Sequence, residues 1–255
     1  MASGDGPSLR LLHTADVHLD AYRRSDDSYW RERRRLIGQA FANTIDVGLA
    51  EGVHLAIIAG DFFDSNDPAP EAVGFAIEQL RRLPVPVVIL PGNHDCYDGN
   101  SVYRRPEFAR RERVHIITEA RGQRLVFPKL DLALWGRADV GSANGLAPLA
   151  GLPRRGGERW YVAVAHGHVL LPGMRTYGSA LIEPEEMGRC DVDYIALGHW
   201  EPFADVSGDG VVACYAGAPL PLTDGGEGRS GSVTIVHLEG GRGVRVVRRV
   251  VDPRR

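Results

Sequence analysis

The sequence predicts an α/β fold in which two mixed β-sheets pack face to face with helices outside. Three observations carry that expectation. The first hundred residues alternate apolar runs with helix-period segments, which implies parallel strands joined by right-handed crossovers. Several apolar runs, such as "VHLAIIAG" and "VPVVILPG", are nearly continuous, as in strands buried on both faces. After about residue 112 the pattern changes to closely spaced β-type runs with little helix between them.

The elements follow in order. Leu9 to His13 is a short strand running into the acidic loop of "LRLLHTADVHLD". "RERRRLIGQAFANTIDVGLAEG" sets Leu36, Ile37, Ala40, Phe41, Thr44, Ile45, Val47 and Leu49 close to one helical stripe, and Gly52 closes that helix. "VHLAIIAGDFFD" is the second strand, "PAPEAVGFAIEQLRRL" a second helix with proline at its start, and "VPVVILPGNHD" the third strand. Seven short β-type runs come next: "VHIIT", "QRLVF", "LDLALWG", "WYVAVAHGH", "DYIALGH", "VVACYAG" and "SVTIVHL". The final "GVRVVRRVV" alternates like an edge strand. The apolar-poor stretch between Ala138 and Arg159 reads as a long surface loop with room for a short helix. No repeat, low-complexity tract or linker divides the chain, so the expectation is a single catalytic domain over residues 1–255.

Composition narrows the function classes. Of the 255 residues, 44 % are hydrophobic and 25 % charged, ordinary for a water-soluble globular chain. A formal net charge of −3 advertises no whole-chain attraction to nucleic acid. Basic clusters at Arg31 to Arg35, Arg104-Arg105, Arg110-Arg111 and Arg154-Arg155 read individually as solvated faces. Three cysteines without paired spacing point to reduced thiols rather than a disulfide framework. The N-terminus has no secretory pattern and no apolar run is long enough to span a membrane, so a cytoplasmic location is expected.

The chemistry sits at the strand ends. Five apolar runs finish in groups that bind hard or borderline metals: Asp16-Val17-His18, Gly60-Asp61, Gly92-Asn93-His94-Asp95, His166-Gly167-His168 and Gly198-His199-Trp200-Glu201. Ligand sites of open α/β sheets form beyond the carboxyl ends of strands, so five such ends are placed to converge. Carboxylate, amide oxygen and neutral imidazole without thiolate suit manganese, iron(II), zinc or magnesium. Two such cations about 3.5–4 Å apart form the usual clamp for displacement at phosphorus.

"LHTADVHLD", "AGDFFD", "LPGNHD", "VAHGH" and "ALGHWEP" resemble, in order, the signature segments of the calcineurin-like metallophosphoesterases. Within that superfamily, "HTADVHLDA" and the tail "CYAGAPLPLTDGGEGRSGSVTIVHL" look most like the DNA-repair exonuclease branch of SbcD- and YhaO-like nuclease subunits. The resemblance covers roughly residues 9 to 240. It implies a four-layer α/β/β/α sandwich and two divalent metals, manganese first among them. Asp16, His18 and a bridging Asp61 would hold one metal, and Asp61, Asn93, His166 and His199 the other. His94 would protonate the leaving oxygen or stabilise its charge while a metal-bound hydroxide attacks phosphorus in line.

Some positions stay open. Asp95 is expected either to orient His94 or to cap the next turn. His168 competes with His166 as ligand, and His166 is favoured because it directly follows the apolar run. Where the family writes Gly-His-x-His, this chain has Glu201, which either ligates, directly or through water, or faces solvent. His13, His54, His115 and His237 are read as structural. The expected substrate is a phosphodiester, DNA among the candidates. A phosphatase or small-molecule and cyclic-nucleotide phosphodiesterase is the alternative, and a non-catalytic scaffold with a degenerate first metal site the second. The branch also implies an SMC-like ATPase partner, although its docking segment and the capping domain are not recognisable in this sequence.

Overall fold

A computed structural model describes residues 8–109, 112–141, 146–170, 180–222, 231–241 and 243–254. Its elements in chain order are β1 (Leu9–Thr14), α1 (Ser28–Glu51), β2 (Leu55–Ala59), α2 (Pro70–Arg82), β3 (Val87–Leu90), α3 (Pro106–Ala109), β4 (Val114–Ile116), β5 (Gln123–Phe127), β6 (Leu132–Gly136) and β7 (Trp160–His166). They continue with β8 (His168–Val169), β9 (Leu181–Ile182), α4 (Pro184–Gly188), β10 (Tyr194–Gly198), β11 (Ala204–Asp205), β12 (Val212–Tyr215), β13 (Gly231–Glu239) and β14 (Gly243–Val251).

Two six-stranded mixed sheets form the centre, in the orders β14-β13-β1-β2-β3-β4 and β11-β12-β10-β7-β6-β5. β1, β2, β3 and β4 run parallel, as the alternating opening predicts. β13 returns antiparallel beside β1 and carries β14 as the outer strand. In the second sheet β6, β7, β10 and β12 are parallel, with antiparallel edges at β5 and β11.

Period-two alternation sorts the side chains into layers. In β2, Ala56 and Ile58 face the helices while Leu55 and Ile57 face the second sheet, so a continuous apolar run is required there. α1 begins where the Asp27 side chain accepts the Tyr29 N–H at 2.8 Å, and it ends at Gly52, whose left-handed φ of 57° favours glycine. Its Ile37, Ala40, Phe41 and Ile45 stripe joins Val73, Ala76, Ile77 and Leu80 of α2 over the first sheet. Between the sheets, Leu11, Ile57, Val88 and Leu90 meet Leu134, Val162, Val164 and Ala196. The outer face of the second sheet is covered by Leu149, Val169, Ile182 and Met187, so the fourth layer consists, among the described residues, of the one-turn α4 and loop segments. The α/β/β/α order stands, with a thin last layer.

Several arginines of the basic clusters serve the fold. Arg33 is buried and donates to the Pro221 carbonyl, which corrects the expectation of a solvated face. Arg34 donates to the carbonyls of Tyr22 and Ser25, and Arg35 pairs with Glu32. Arg155 pairs with Asp193 at 2.8 Å. Arg110-Arg111, residues 223–230 of the quoted tail and residues 142–145 of the long loop lie outside the described residues. The described part of that loop holds turns and no helix.

Candidate metal centre

Five strands from both sheets bring their carboxyl ends to one place. β1 leads to Asp16 and His18, β2 to Asp61 and Asp64, and β3 to Asn93, His94 and Asp95. β7 ends in His166, and β10 is followed by His199. The loops after β1 and β2 are tied by Asp16 N–H to Gly60 O at 3.1 Å and His18 N–H to Asp61 O at 3.0 Å. To hold this arrangement Asp16, His18, Asp61 and His199 adopt positive φ of 52°, 50°, 50° and 102°, conformations that L side chains rarely take and that concentrate at functional sites. Glycine makes the crossing of the two sheets possible. A Cβ on Gly60 (φ 91°) would lie 2.0 Å from His166 Nδ1, and one on Gly198 would lie 1.8 Å from the Ala59 carbonyl oxygen.

Acceptor atoms face one another in the resulting cleft. Asp61 accepts the His94 backbone N–H on one oxygen at 2.9 Å. Its other oxygen lies 3.3 Å from His166 Nε2 and 3.8 Å from His18 Nε2. Asn93 Oδ1 lies 3.0 Å from His166 Nε2 and 3.2 Å from His199 Nδ1. Both Asp16 oxygens accept the His199 N–H at 3.0 Å. His166 Nδ1 donates to the Ala59 carbonyl at 2.9 Å, which directs the Nε2 lone pair of the neutral ring at the carboxylates. Ligand atoms of Asp16, His18 and Asp61, all buried, lie within 4.8 Å of one another. Among the described residues no lysine or arginine pairs with Asp16 or Asp61. A buried group of carboxylate, amide and imidazole acceptors with no fixed cation is the donor set that fits divalent metal.

The electrostatics of the metal-free chain say the same. Burial alone would depress His166, but the Asp61 carboxylate, through charge and hydrogen bond, and Asp16 raise it to about 10. Burial opposes His18 too, and its hydrogen bond to Asp64 with the charges of Asp61 and Asp16 lifts it to about 9. Asp61 is pushed up by burial yet held below the usual carboxylate range by His166, His18 and His94. Asp16 goes the other way, raised to about 7, chiefly by burial. His199, buried and close to His166, falls to about 4. Without metal, protons on His18 and His166 supply the missing positive charge.

A family model described as calcineurin-like phosphoesterase matches residues 9–201. The chain belongs to that family. Membership implies a divalent-metal centre, and the matched span contains every residue of the cleft named so far. Among curated proteins, the chain is similar to a subunit of the nuclease SbcCD from Rhodobacter capsulatus, 30 % identical over 285 residues, covering 91 % of this chain and 67 % of that one. It is also similar to the "DNA double-strand break repair protein Mre11" of Methanopyrus kandleri, 28 % identical over 84 % of this chain and 49 % of the relative. A protein of the same name from Saccharolobus solfataricus is 33 % identical over 90 residues, 34 % of this chain and 23 % of its own length. The chain thus spans well under two thirds of the two Mre11 proteins.

Within this calcineurin-like centre, two of the open positions have partners outside the cleft. Asp95 does not face the His94 ring. Fully buried, it accepts the N–H groups of Gly92 at 2.7 Å, Phe62 at 2.8 Å and Phe63 at 3.0 Å and the Tyr103 hydroxyl. It therefore staples the loop after β3 to the loop after β2, a role different from both orienting His94 and capping the next turn. One oxygen of Glu201, Oε1, accepts the Leu222 N–H at 2.9 Å. Three backbone N–H groups hold this stretch: His199 N–H goes to Asp16, Ala218 N–H to the Glu201 carbonyl and Leu222 N–H to its side chain.

Asp64 is the residue that sequence reasoning missed. Its carboxylate lies 3.1 Å from His18 Nδ1 and 3.9 Å from His94 Nδ1, and its carbonyl accepts from His94 Nδ1 at 3.1 Å. The signal was the second acid of "GDFFD", three residues beyond Asp61. His168 is buried just past the end of β7, with Nε2 unpaired among the described residues and its ring 6.3 Å from that of His199. His13, His54, His115 and His237 stand elsewhere: His13 pairs with Tyr194 OH at 2.8 Å, His54 accepts the Arg10 N–H, His115 packs on Phe127 and His237 faces Glu239.

Proposed function

We propose that the protein is a divalent-metal-dependent phosphodiesterase of the nuclease-like kind. The observation that carries this reading is the Asp61 carboxylate, with His166 and His18 imidazoles 3.3 and 3.8 Å from one oxygen and the His94 N–H on the other. One carboxylate shared between two ligand sets is what a pair of cations requires. Asp16, His18 and Asp61 would hold one cation, and Asp61, Asn93, His166 and His199 the other. The hard and borderline donors favour manganese, ahead of iron, zinc or magnesium. Bound there, the cations would neutralise phosphate charge and bring a water's pKa towards neutrality.

His94 is suited to the leaving group. Donation from Nδ1 to the Asp64 carbonyl fixes the tautomer, and with the side chain 44 % exposed, Nε2 is left for substrate. With Nδ1–H held by that carbonyl, the doubly protonated ring would deliver its Nε2 proton to the departing oxygen and return to the neutral Nδ1–H form. Asp64 supports both His94 and His18, and Asp95 keeps their loops in register. The names of the relatives, a nuclease subunit and a DNA double-strand break repair protein, favour DNA as substrate and assembly with another subunit.

Hydrolysis of bis-p-nitrophenyl phosphate with added manganese tests the proposal. We expect activity that falls about 10²- to 10⁴-fold in His94→Ala. Inertness with manganese, iron, zinc and magnesium alike would defeat it. A strong preference for the monoester p-nitrophenyl phosphate would favour the phosphatase alternative. Degradation of DNA ends then separates a nuclease from a small-molecule diesterase.

A further inference from the structure

We propose that Trp200 is a stacking platform for a nucleobase attached to the scissile phosphate. The inference rests on the phosphodiesterase reading and adds what one arm of the diester carries.

Of the four tryptophans, Trp135 and Trp160 are buried and Trp30 is half-buried against the Tyr22 ring, but Trp200 is 36 % exposed. A side chain of this size is normally spent on a core. Here it stands beside the ligand-type residue His199, at the crest of a loop anchored on both sides. His199 is tied by its N–H to Asp16 and by its ring to Asn93. Glu201 is tied by its carbonyl to the Ala218 N–H at 2.7 Å and by its carboxylate to Leu222. That glutamate thus fixes the residue before it.

The ring itself is also held. His168 meets the indole at 5.9 Å with planes 75° apart, and meets His199 at 6.3 Å and 89°. The contact is T-shaped rather than stacked, and no other ring lies against the indole among the described residues. The φ of 102° at His199 is a conformation that L side chains rarely adopt, and it is kept at the turn that presents this side chain. A rigid, exposed indole at the mouth of a phosphoester centre offers a π-face to a flat group on the substrate. Every nucleobase has such a face, so the platform needs no particular base.

The experiment compares thymidine 5′-(p-nitrophenyl phosphate) with methyl p-nitrophenyl phosphate in the manganese-loaded protein. The wild type should favour the nucleoside ester, and Trp200→Ala should cut that preference about tenfold, mainly through KM. Trp200→Phe should keep most of it. No preference in the wild type, an undiminished preference in Trp200→Ala, or equal loss on both esters together with loss of bound manganese overturns the proposal while leaving the phosphodiesterase reading intact. Hydrolysis of neither ester defeats that reading instead. Fluorescence then decides the platform without turnover: quenching by thymidine 5′-monophosphate that disappears in Trp200→Phe supports it, and equal quenching in both proteins overturns it. Selectivity extending to a single-stranded oligonucleotide end assigns the base to a strand, and selectivity confined to the mononucleotide ester assigns it to a small nucleotide.

Discussion

Asp64 couples two imidazoles with different tasks. A carboxylate 3.1 Å from His18 Nδ1 fixes that ring with Nε2 towards Asp61, where a cation would be held, and raises its basicity, while the Asp64 carbonyl sets the His94 tautomer. Asp64→Asn keeps the carbonyl and loses the charge, so we expect manganese affinity and kcat/KM to drop about 10- to 100-fold, with His94→Ala adding its own loss on top. Isothermal titration and steady-state kinetics read both; unchanged affinity would confine Asp64 to the backbone contact. The same cluster controls stability. His18 and His166 are raised to about 9 and about 10, above the ordinary value of 6.5. Their contribution is therefore complete below about pH 6.5 and is lost as pH climbs through 9 to 10. Asp61, depressed, contributes above its ordinary value of 3.8 and loses that only in acid. Asp16, raised to about 7, weakens the fold as pH rises from about 4 to 7. Chelated protein should accordingly melt at progressively lower temperature from pH 7 to 10. Manganese-loaded protein should diverge from it upward, because the cation replaces the protons. Buried thiols and phenols, all raised by burial, cost both samples alike as pH climbs, so the gap between the two melting curves removes their share.

At the level of elements, the strands and principal helices were legible and their partners were not. Apolar runs marked every strand of four residues or more, because period and length are local properties. The placement of β10 between β7 and β12, and of β13 beside β1, depends on pairing across long stretches of chain and leaves no local trace. For the same reason the ligand residues could be picked from strand ends, whereas Asp64 and Asp95 could be assigned only once three loops were seen together. Glu201 shows the limit most clearly. Its spacing from His199 suits a ligand, but Leu222 approaches from 21 residues along the chain and its N–H occupies one carboxylate oxygen, a contact that spacing does not announce. Where two sheets touch, the demand on sequence is steric. Gly198→Ala would drive a methyl to 1.8 Å from the Ala59 oxygen and 2.9 Å from His166 Nδ1. We expect a loss of about 3 kcal/mol or more, with melting temperature and bound manganese falling together. Gly74→Ala in α2, with nothing within 4 Å, serves as the opposite case and should gain about 0.5–1 kcal/mol of helix propensity.

For the whole molecule, charge and shape assign the work to one face. A net charge of −3 advertises no whole-chain attraction to a polyanion, and among the described residues Arg33, Arg34, Arg35 and Arg155 are committed to Pro221, Tyr22, Glu32 and Asp193. The cleft is then the place where a phosphodiester would be recognised, through the metals its donor set fits and the groups on its rim. No helix among the described residues is long and apolar enough to cross a membrane. The left-handed backbone at Asp16, His18, Asp61 and His199 has one more consequence. Torsional strain there is met when the chain folds, before any cation arrives, and His18 and Asp61 offset theirs through the charges they face. Asp16 has no such return, because burial resists its charge. Glycine at Asp16 would relax the backbone and remove that reluctant charge, giving a sturdier protein with an emptier purpose.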